Sequence, residues 1–150
     1  MIRKYRSDDL DGVLKVWSAA SAKAHPFLSP EFLAAERDDI AKHHLPAADT
    51  WVWDIDGQIA GFVALLGQEV GGLFVDPRLH GRGIGRALMD HARRVKGALQ
   101  VEVFMDNTSG RSFYAQYGFV EVGRDIHPAT GLEVLRLEMI GPPGDELAGA

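Results

Sequence analysis

The chain has 150 residues, of which 46% are apolar and 25% are charged, a balance typical of a soluble globular protein with one domain. Its net charge of −5 does not favour a nucleic-acid partner, and the lack of cysteine excludes a disulfide framework and a thiol nucleophile. No apolar run has the length of a membrane span, and the first residues lack the apolar core of a secretory signal, so we expect a cytoplasmic protein without a membrane partner.

The first third of the chain predicts one strand and two helices. Residues 2–5 have the pattern of a short strand, and Ser7 or Asp8 can cap a helix whose apolar residues recur at helical spacing. Ser29 followed by Pro30 is typical of a helix start, so we expect a second helix from there towards residue 40.

Three strands are expected next. Residues 51–55 and 58–66 flank the pair Asp56-Gly57, which favours a tight hairpin turn. Residues 69–75 follow as a further strand, in which the pair Gly71-Gly72 predicts a bulge or the close approach of another backbone.

A glycine-rich loop after this strand is the most informative segment of the chain. It opens directly into a helical pattern, and the first turn of a helix offers unpaired N–H groups and roughly half a positive charge. Glycines permit tight turns and close approach, and guanidinium groups suit phosphate oxygens. The residues concerned are Gly81, Arg82, Gly83, Gly85 and Arg86. The segment therefore predicts a phosphate-binding cradle.

Two common nucleotide-binding motifs are excluded by spacing. In the dinucleotide pattern G-x-G-x-x-G, a start at Gly81 puts Arg86 at the last glycine, and a start at Gly83 puts Leu88 there. The Walker-type loop needs Gly-Lys-Ser or Gly-Lys-Thr, and the chain contains neither tripeptide.

The remaining elements are a strand at 99–105, a short helix at 107–117, and a final strand pair at 119–123 and 132–139. The segment 141–150 is rich in proline and glycine, so we expect a flexible tail after a domain at 1–140.

These motifs together resemble the GNAT superfamily of acyl-CoA-dependent N-acyltransferases. Its signature, Gln/Arg-x-x-Gly-x-Gly/Ala after Val-x-Pro, corresponds to residues 80–85 after 75–77, with His80 as the departure. Asn107 and the four-residue spacing from Tyr114 to Gly118 match a second family element. The resemblance implies an α/β (α+β) fold with a central mixed, mostly antiparallel sheet of about seven strands flanked by about four helices.

The resemblance also implies a site for acetyl-CoA as co-substrate. The backbone of the strand before the cradle would polarise the thioester and pair with the pantetheine amides as an added strand would. The implied cofactor-binding residues are Leu73, Phe74, Val75, His80, Gly81, Arg82, Gly83, Ile84, Gly85, Arg86, Asn107 and Tyr114. The alternative for Asn107 is a helix cap, and both can hold.

Two residues are implied as catalytic. Tyr114 would protonate the departing thiolate, its alternative being packing beside Phe113 and Tyr117. Glu69 would act as base, directly or through water; its alternative is a solvated carboxylate at a strand end, and Glu102 is the fallback.

The segment that joins the first two helices lies where family members build the acceptor pocket. His25 and Phe27 are therefore candidate substrate contacts, although a lone histidine in a loop is more often a polar surface residue that binds nothing. The other histidines have no partner at metal-ligand spacing, so no metal is expected.

The predicted function is transfer of an acetyl group from acetyl-CoA to a primary amine by direct attack in a ternary complex. The acceptor is a small-molecule amine or a peptide or protein amine, and the protein is a monomer or homodimer. The alternative is a non-catalytic acyl-CoA-binding sensor or interaction domain.

Overall fold

The computed structural model describes residues 1–139, which form one seven-stranded sheet with helices on both faces. The strands are Ile2–Lys4 (β1), Asp49–Ile55 (β2), Gln58–Leu66 (β3), Glu69–Val75 (β4), Gln100–Phe104 (β5), Phe119–Ile126 (β6) and Glu133–Met139 (β7). The helices are Leu10–Ala24 (α1), Pro30–Asp39 (α2), the short Leu45–Ala47 (α3), Ile84–Lys96 (α4) and Thr108–Tyr117 (α5).

The strand order is β1-β2-β3-β4-β5-β7-β6, and within the described residues β4–β5 is the parallel pair among antiparallel neighbours. This mixed, mostly antiparallel sheet confirms the predicted fold class. Four of the helices have ten residues or more in the part of the chain that the structure describes, as predicted.

Each face of the sheet is covered by its own helices. Phe62 and Val63 are neighbours in β3, so their side chains point to opposite faces. Phe62 packs in a cluster with Trp17 of α1, whereas Val63 packs in a second cluster with Leu88 of α4 and Tyr114 of α5. Burial on both faces explains why β3 is an almost continuous apolar run.

The cap predicted for the first helix is wrong. Asp9, not Ser7 or Asp8, accepts a hydrogen bond from the Arg6 N–H at 2.8 Å, and its carboxylate also forms a 2.8 Å ion pair with Arg3. Arg3 also forms an ion pair with Asp54 of β2, so this one side chain connects β1 to β2 and to the residues that precede α1. The missed signal is nonlocal, because the partner that selects Asp9 lies on β1.

The second helix begins as predicted, since Ser29 Oγ accepts the Phe32 N–H at 3.1 Å and Pro30 follows the cap. It continues into a wider π-type turn at Ile40–His44 and then α3, which no sequence pattern indicated. The strand predicted at 119–123 extends to residue 126. The tail predicted at 141–150 lies outside the described residues.

An irregularity in β4 shapes the site. Ala64 pairs with Gly72 and Leu65 with Val70, so Gly71 is the extra residue of a β-bulge, as the glycine pair predicted. On its other side, β4 pairs with β5 at Glu69–Gln100 and Val70–Val101 within the described chain. Beyond these two pairs, the strands separate.

Candidate active site

A cavity of about 650 Å³ lies where β4 and β5 separate. Its walls come from both helical layers, with α1 and α2 on one side of the sheet and the start of α4 together with α5 on the other. Residues of β4 and β5 line it as well, so the cavity passes through the gap between the strands. Two ligands can therefore meet in it from opposite faces of the sheet.

The start of α4 forms one end of this cavity. Gly83 precedes the helix with a φ of 79°, and Gly81 has a φ of 81°, a region that other residues enter only with strain. The first backbone bond of the helix joins the Ala87 N–H to the Gly83 carbonyl at 3.0 Å. The N–H groups of residues 84–86 precede this bond and can donate to an anion, with the helix dipole adding to the attraction.

The loop between β4 and α4 is held by its own side chains. Asp76 accepts the Arg78 N–H at 3.0 Å and forms a 2.7 Å ion pair with the Arg78 guanidinium, which lowers the pKa of Asp76. His80 Nε2 lies 3.1 Å from the Val75 carbonyl oxygen, and because a carbonyl only accepts, this nitrogen carries the proton. His80 thus ties the loop to the end of β4 while lining the cavity.

The two arginines of the cradle differ in placement. Arg86 lines the cavity, with its guanidinium carbon 5.5 Å from the centre of the Tyr117 ring. Arg82 is exposed and is not part of the described cavity lining. The Tyr117 hydroxyl donates to Asp90, and burial together with this carboxylate raises the pKa of Tyr117 to about 12. Tyr117 is therefore a fixed wall beside Arg86.

Tyr114 lies on α5 and lines the cavity from the α4 side of the sheet. Its ring is 8% exposed and makes edge contacts with Phe113 and Phe119 at centroid distances of 5.4 Å and 5.3 Å. Burial raises the pKa of its phenol, which therefore keeps its proton at neutral pH. Tyr114 therefore packs in the core and also reaches the cavity.

Asn107 caps α5 and also reaches across the cavity. Its Oδ1 accepts the Gly110 N–H at 2.9 Å, which is the predicted cap. Its amide nitrogen lies 3.2 Å from His25 Nε2, and because an amide nitrogen only donates, Nε2 is the unprotonated nitrogen of His25. Burial lowers the pKa of His25, which is consistent with a neutral ring.

The β4 residues predicted to contact the cofactor, Leu73, Phe74 and Val75, all line the cavity. Their backbone pairs with β3 on one side, opposite residues 61–63. Their other side faces the gap left by β5 in the described chain. This edge can therefore receive the amides of an extended ligand as an additional strand.

The two candidate bases lie in different places. Glu69 is the first residue of β4, next to the turn from β3. The residues of β4 that line the described cavity are 70–75, so Glu69 is not among them. The structure therefore does not bring Glu69 and Tyr114 to the same cavity wall. Glu102 lines the cavity from β5, where it forms a 3.2 Å ion pair with Arg136.

An aromatic cluster surrounds the cavity on the side of α1 and α2. The His25 ring lies 5.4 Å from Phe104, and the Phe104 ring lies 5.2 Å from His127. Phe27 contacts both His25 and Phe104 at 5.6 Å, but it supports them from behind and is not part of the described cavity lining. Phe32 adds a further ring against His127 at 5.8 Å.

Several cavity residues escaped the sequence analysis: Ser21, Phe32, Glu36, Phe104 and His127. Their partners are distant in sequence, so no local motif marks them. One signal was available, because Ser21 precedes the predicted His25 by four residues and the two must share a face of any helix that reaches both.

Two absences within residues 1–139 bear on the site. No helix there combines the length and apolar character needed to cross a bilayer. The same residues contain no grouping of three histidine, aspartate or glutamate side chains that could hold a metal ion.

The chain is similar in sequence to known proteins. The family model described as an acetyltransferase (GNAT) domain matches residues 46–121. The peptidyl-lysine N-acetyltransferase YjaB of Escherichia coli is 34% identical over 124 residues, covering 82% of this chain and 84% of that protein. The peptidyl-lysine N-acetyltransferase YiaC of the same organism is 32% identical over 120 residues, covering 79% and 82%.

The fold is similar to that of a solved structure as well. The solution structure of apo-form YjaB from Escherichia coli has a TM-score of 0.83 at 30% identity, covering 94% of this chain and 97% of that one. The similarity extends beyond the cradle, since nearly the whole of each chain is matched.

Proposed function

The chain belongs to the GNAT family of acetyltransferases and is an N-acetyltransferase with acetyl-CoA as co-substrate, and from this premise we propose that its acceptor is the side-chain amine of lysine in a peptide or protein. Curated relatives at 32% and 34% identity are named as peptidyl-lysine N-acetyltransferases. These names favour the enzyme over the non-catalytic sensor considered from the sequence.

The cavity supports a cationic acceptor on its α1 and α2 side. Glu36 and Glu102 line it there, together with the rings of Phe32 and Phe104. Carboxylates attract an ammonium group, and aromatic faces bind cations when water is excluded. The whole chain has a net charge of −5, which also favours basic peptides in diffusional encounter.

One observation carries the assignment of the cofactor site. The cradle before α4, the open edge of β4 and Tyr114 all line the same cavity at the gap between β4 and β5. We assign the phosphates of acetyl-CoA to the N–H groups of residues 84–86 with Arg86, and its pantetheine arm to β4. The acetyl group then lies in the gap, within reach of an amine from the opposite face.

This arrangement supports direct transfer. The neutral amine attacks the thioester carbon, a C–N bond forms, the C–S bond breaks, and the electron pair of that bond leaves with sulfur. Tyr114 gives its proton to the thiolate and recovers one released from the attacking nitrogen. The chain contains no cysteine to carry an acyl-enzyme, which favours direct transfer with both substrates bound together.

The attacking amine must first lose a proton, because a free lysine has a pKa near about 10.4. Glu69 stays the predicted base. Because it is not among the described residues that line the cavity, it would act through a water molecule. Glu102 lines the cavity but is engaged by Arg136, so it is the second candidate.

A pair of matched peptides tests the acceptor. Both have a blocked N-terminus, and they differ by one Lys→Ala change. With acetyl-CoA and the protein, we expect thiol release and a mass gain of one acetyl group in the lysine peptide alone. Acetylation of a free N-terminus or a small amine, with none of the lysine peptide, would contradict the proposal.

A further inference from the structure

Ser21 lines the cavity and carries a buried hydroxyl that has no hydrogen-bond partner among the described residues. The residue is 1% exposed, and its Oγ forms no hydrogen bond with any of residues 1–139. It lies in the last turns of α1 and lines the cavity. A buried hydroxyl without a partner costs folding free energy, so an apolar residue would be more stable here.

The position of Ser21 places it on the acceptor side. It lies in the α1 layer, across the sheet from the α4 cradle and from Tyr114. His25 follows one helical turn later, its Nε2 already occupied by the amide of Asn107. Asn107 already holds that nitrogen, whereas the Ser21 hydroxyl has no partner among residues 1–139 and is left to bind a ligand.

We propose that Ser21 is a substrate-binding residue whose Oγ accepts a hydrogen bond from the attacking amine of the acceptor, an inference that rests on the proposed lysine acetyltransferase function. The nitrogen must aim its lone pair at the thioester carbon, so its hydrogens must point elsewhere. A fixed hydroxyl oxygen that accepts one of them sets this orientation. Ser21 takes no proton in the step, because the proton that the attacking nitrogen releases replaces the one that Tyr114 gives to the thiolate.

Binding of the cofactor does not require the Ser21 hydroxyl. The β4 backbone edge provides for the pantetheine amides, and an N–H of that edge can polarise the thioester oxygen. The acceptor nitrogen arrives from the other face, where the cavity offers carboxylates, rings and this hydroxyl. The assignment therefore separates cofactor binding from acceptor positioning in a measurable way.

The test compares Ser21→Ala and Ser21→Cys with Ser18→Ala, a control on the exposed face of the same helix. Cysteine keeps the approximate volume of serine but is a weak hydrogen-bonding group. With the blocked lysine peptide, we expect kcat/KM for the peptide to fall about tenfold in both Ser21 variants, with KM for acetyl-CoA unchanged. The Tm of Ser21→Ala should equal or exceed that of the wild type, and Ser18→Ala should match the wild type throughout.

Four results would overturn this assignment. Wild-type kcat/KM in both Ser21 variants would show that Ser21 makes no functional hydrogen bond to the amine. A rise in KM for acetyl-CoA with unchanged KM for the peptide would move Ser21 to the cofactor, and a loss of activity that follows a lower Tm would make it structural. If the wild type fails to acetylate the lysine peptide, the proposed acceptor fails, and this assignment fails with it.

Discussion

At the level of single residues, Tyr114 combines packing in the core with access to the cavity. Its ring is packed between Phe113 and Phe119, yet it lines the cavity where β4 and β5 separate. Burial raises the pKa of its phenol, so the hydroxyl stays protonated at neutral pH and has a proton to give when a thiolate departs. The same packing holds the ring in one position.

The first prediction concerns that hydroxyl. Tyr114→Phe should lower kcat about 100-fold or more while leaving KM for acetyl-CoA nearly unchanged, because the acid is lost and the ring remains. Steady-state thiol release measures both constants. Tyr117→Phe is the matched control, and it should lose stability with the Asp90 hydrogen bond but keep most of its turnover. Wild-type turnover in Tyr114→Phe would exclude the acid role.

A second prediction tests the base. Glu69→Gln should slow the reaction most at low pH, where loss of the carboxylate leaves the acceptor amine protonated. The pH profile of kcat/KM is compared with that of Glu102→Gln, which removes the candidate that lines the cavity. If Glu69→Gln has the same profile as the wild type, another group or water takes the proton.

At the level of elements, the start of α4 is the part of the site that depends most on backbone conformation. Gly83 has a φ of 79° immediately before the helix, so the direction of the following N–H groups depends on a conformation that favours glycine. The turn between β3 and β4 provides a comparison, because Gly67 has a φ of 61° and an added Cβ there would contact nothing within 4 Å.

The third prediction uses this pair of glycines. Gly83→Val and Gly67→Val should each cost about 1–2 kcal/mol of folding free energy, because both force a branched residue into the left-handed region. Gly83→Val alone should weaken acetyl-CoA binding, at least tenfold by calorimetric titration. Equal affinity for acetyl-CoA in the two variants would show that the cradle does not bind the phosphates.

Local signals predicted most elements, and nonlocal contacts decided the rest. The Ser29-Pro30 cap, the Asp56-Gly57 turn and the bulge at Gly71 depend on neighbouring residues, and the structure has each of them. The Asp9 cap depends on Arg3 across the chain end, and the π-type turn after α2 has no local marker. For the same reason the cradle was visible in the sequence, whereas on the acceptor side His25 and Glu102 were predicted and Ser21, Phe32, Glu36, Phe104 and His127 were not.

At the level of the whole molecule, ion pairs join the chain end to the sheet. Arg3 on β1 contacts Asp9 before α1 and Asp54 on β2 at 2.8 Å and 2.9 Å. The Arg3 hydrogen bond lowers the pKa of Asp9, which means that the folded state favours the ionised carboxylate. This network lies away from the cavity, so it should affect stability without affecting catalysis.

The fourth prediction follows from the sign of that shift. The folded pKa of Asp9 lies below its ordinary value of 3.8, so its stabilisation is complete well above pH 3.8 and is lost as the pH falls through the folded value. Asp9→Asn should lower stability by roughly 2 kcal/mol, or about 4–8 °C in Tm, at pH 7. Thermal unfolding between pH 7 and pH 3 should show this difference shrinking below pH 3.8. A difference that is constant with pH would contradict the ion-pair account.

We propose that one cavity holds acetyl-CoA and a lysine side chain at the same time. Initial rates of thiol release, measured over a grid of acetyl-CoA and blocked lysine-peptide concentrations, test it most directly. We predict intersecting double-reciprocal lines, because a ternary complex must form before the acetyl group moves. Parallel lines, or thiol release that does not depend on the peptide, would contradict direct transfer to a lysine in this cavity.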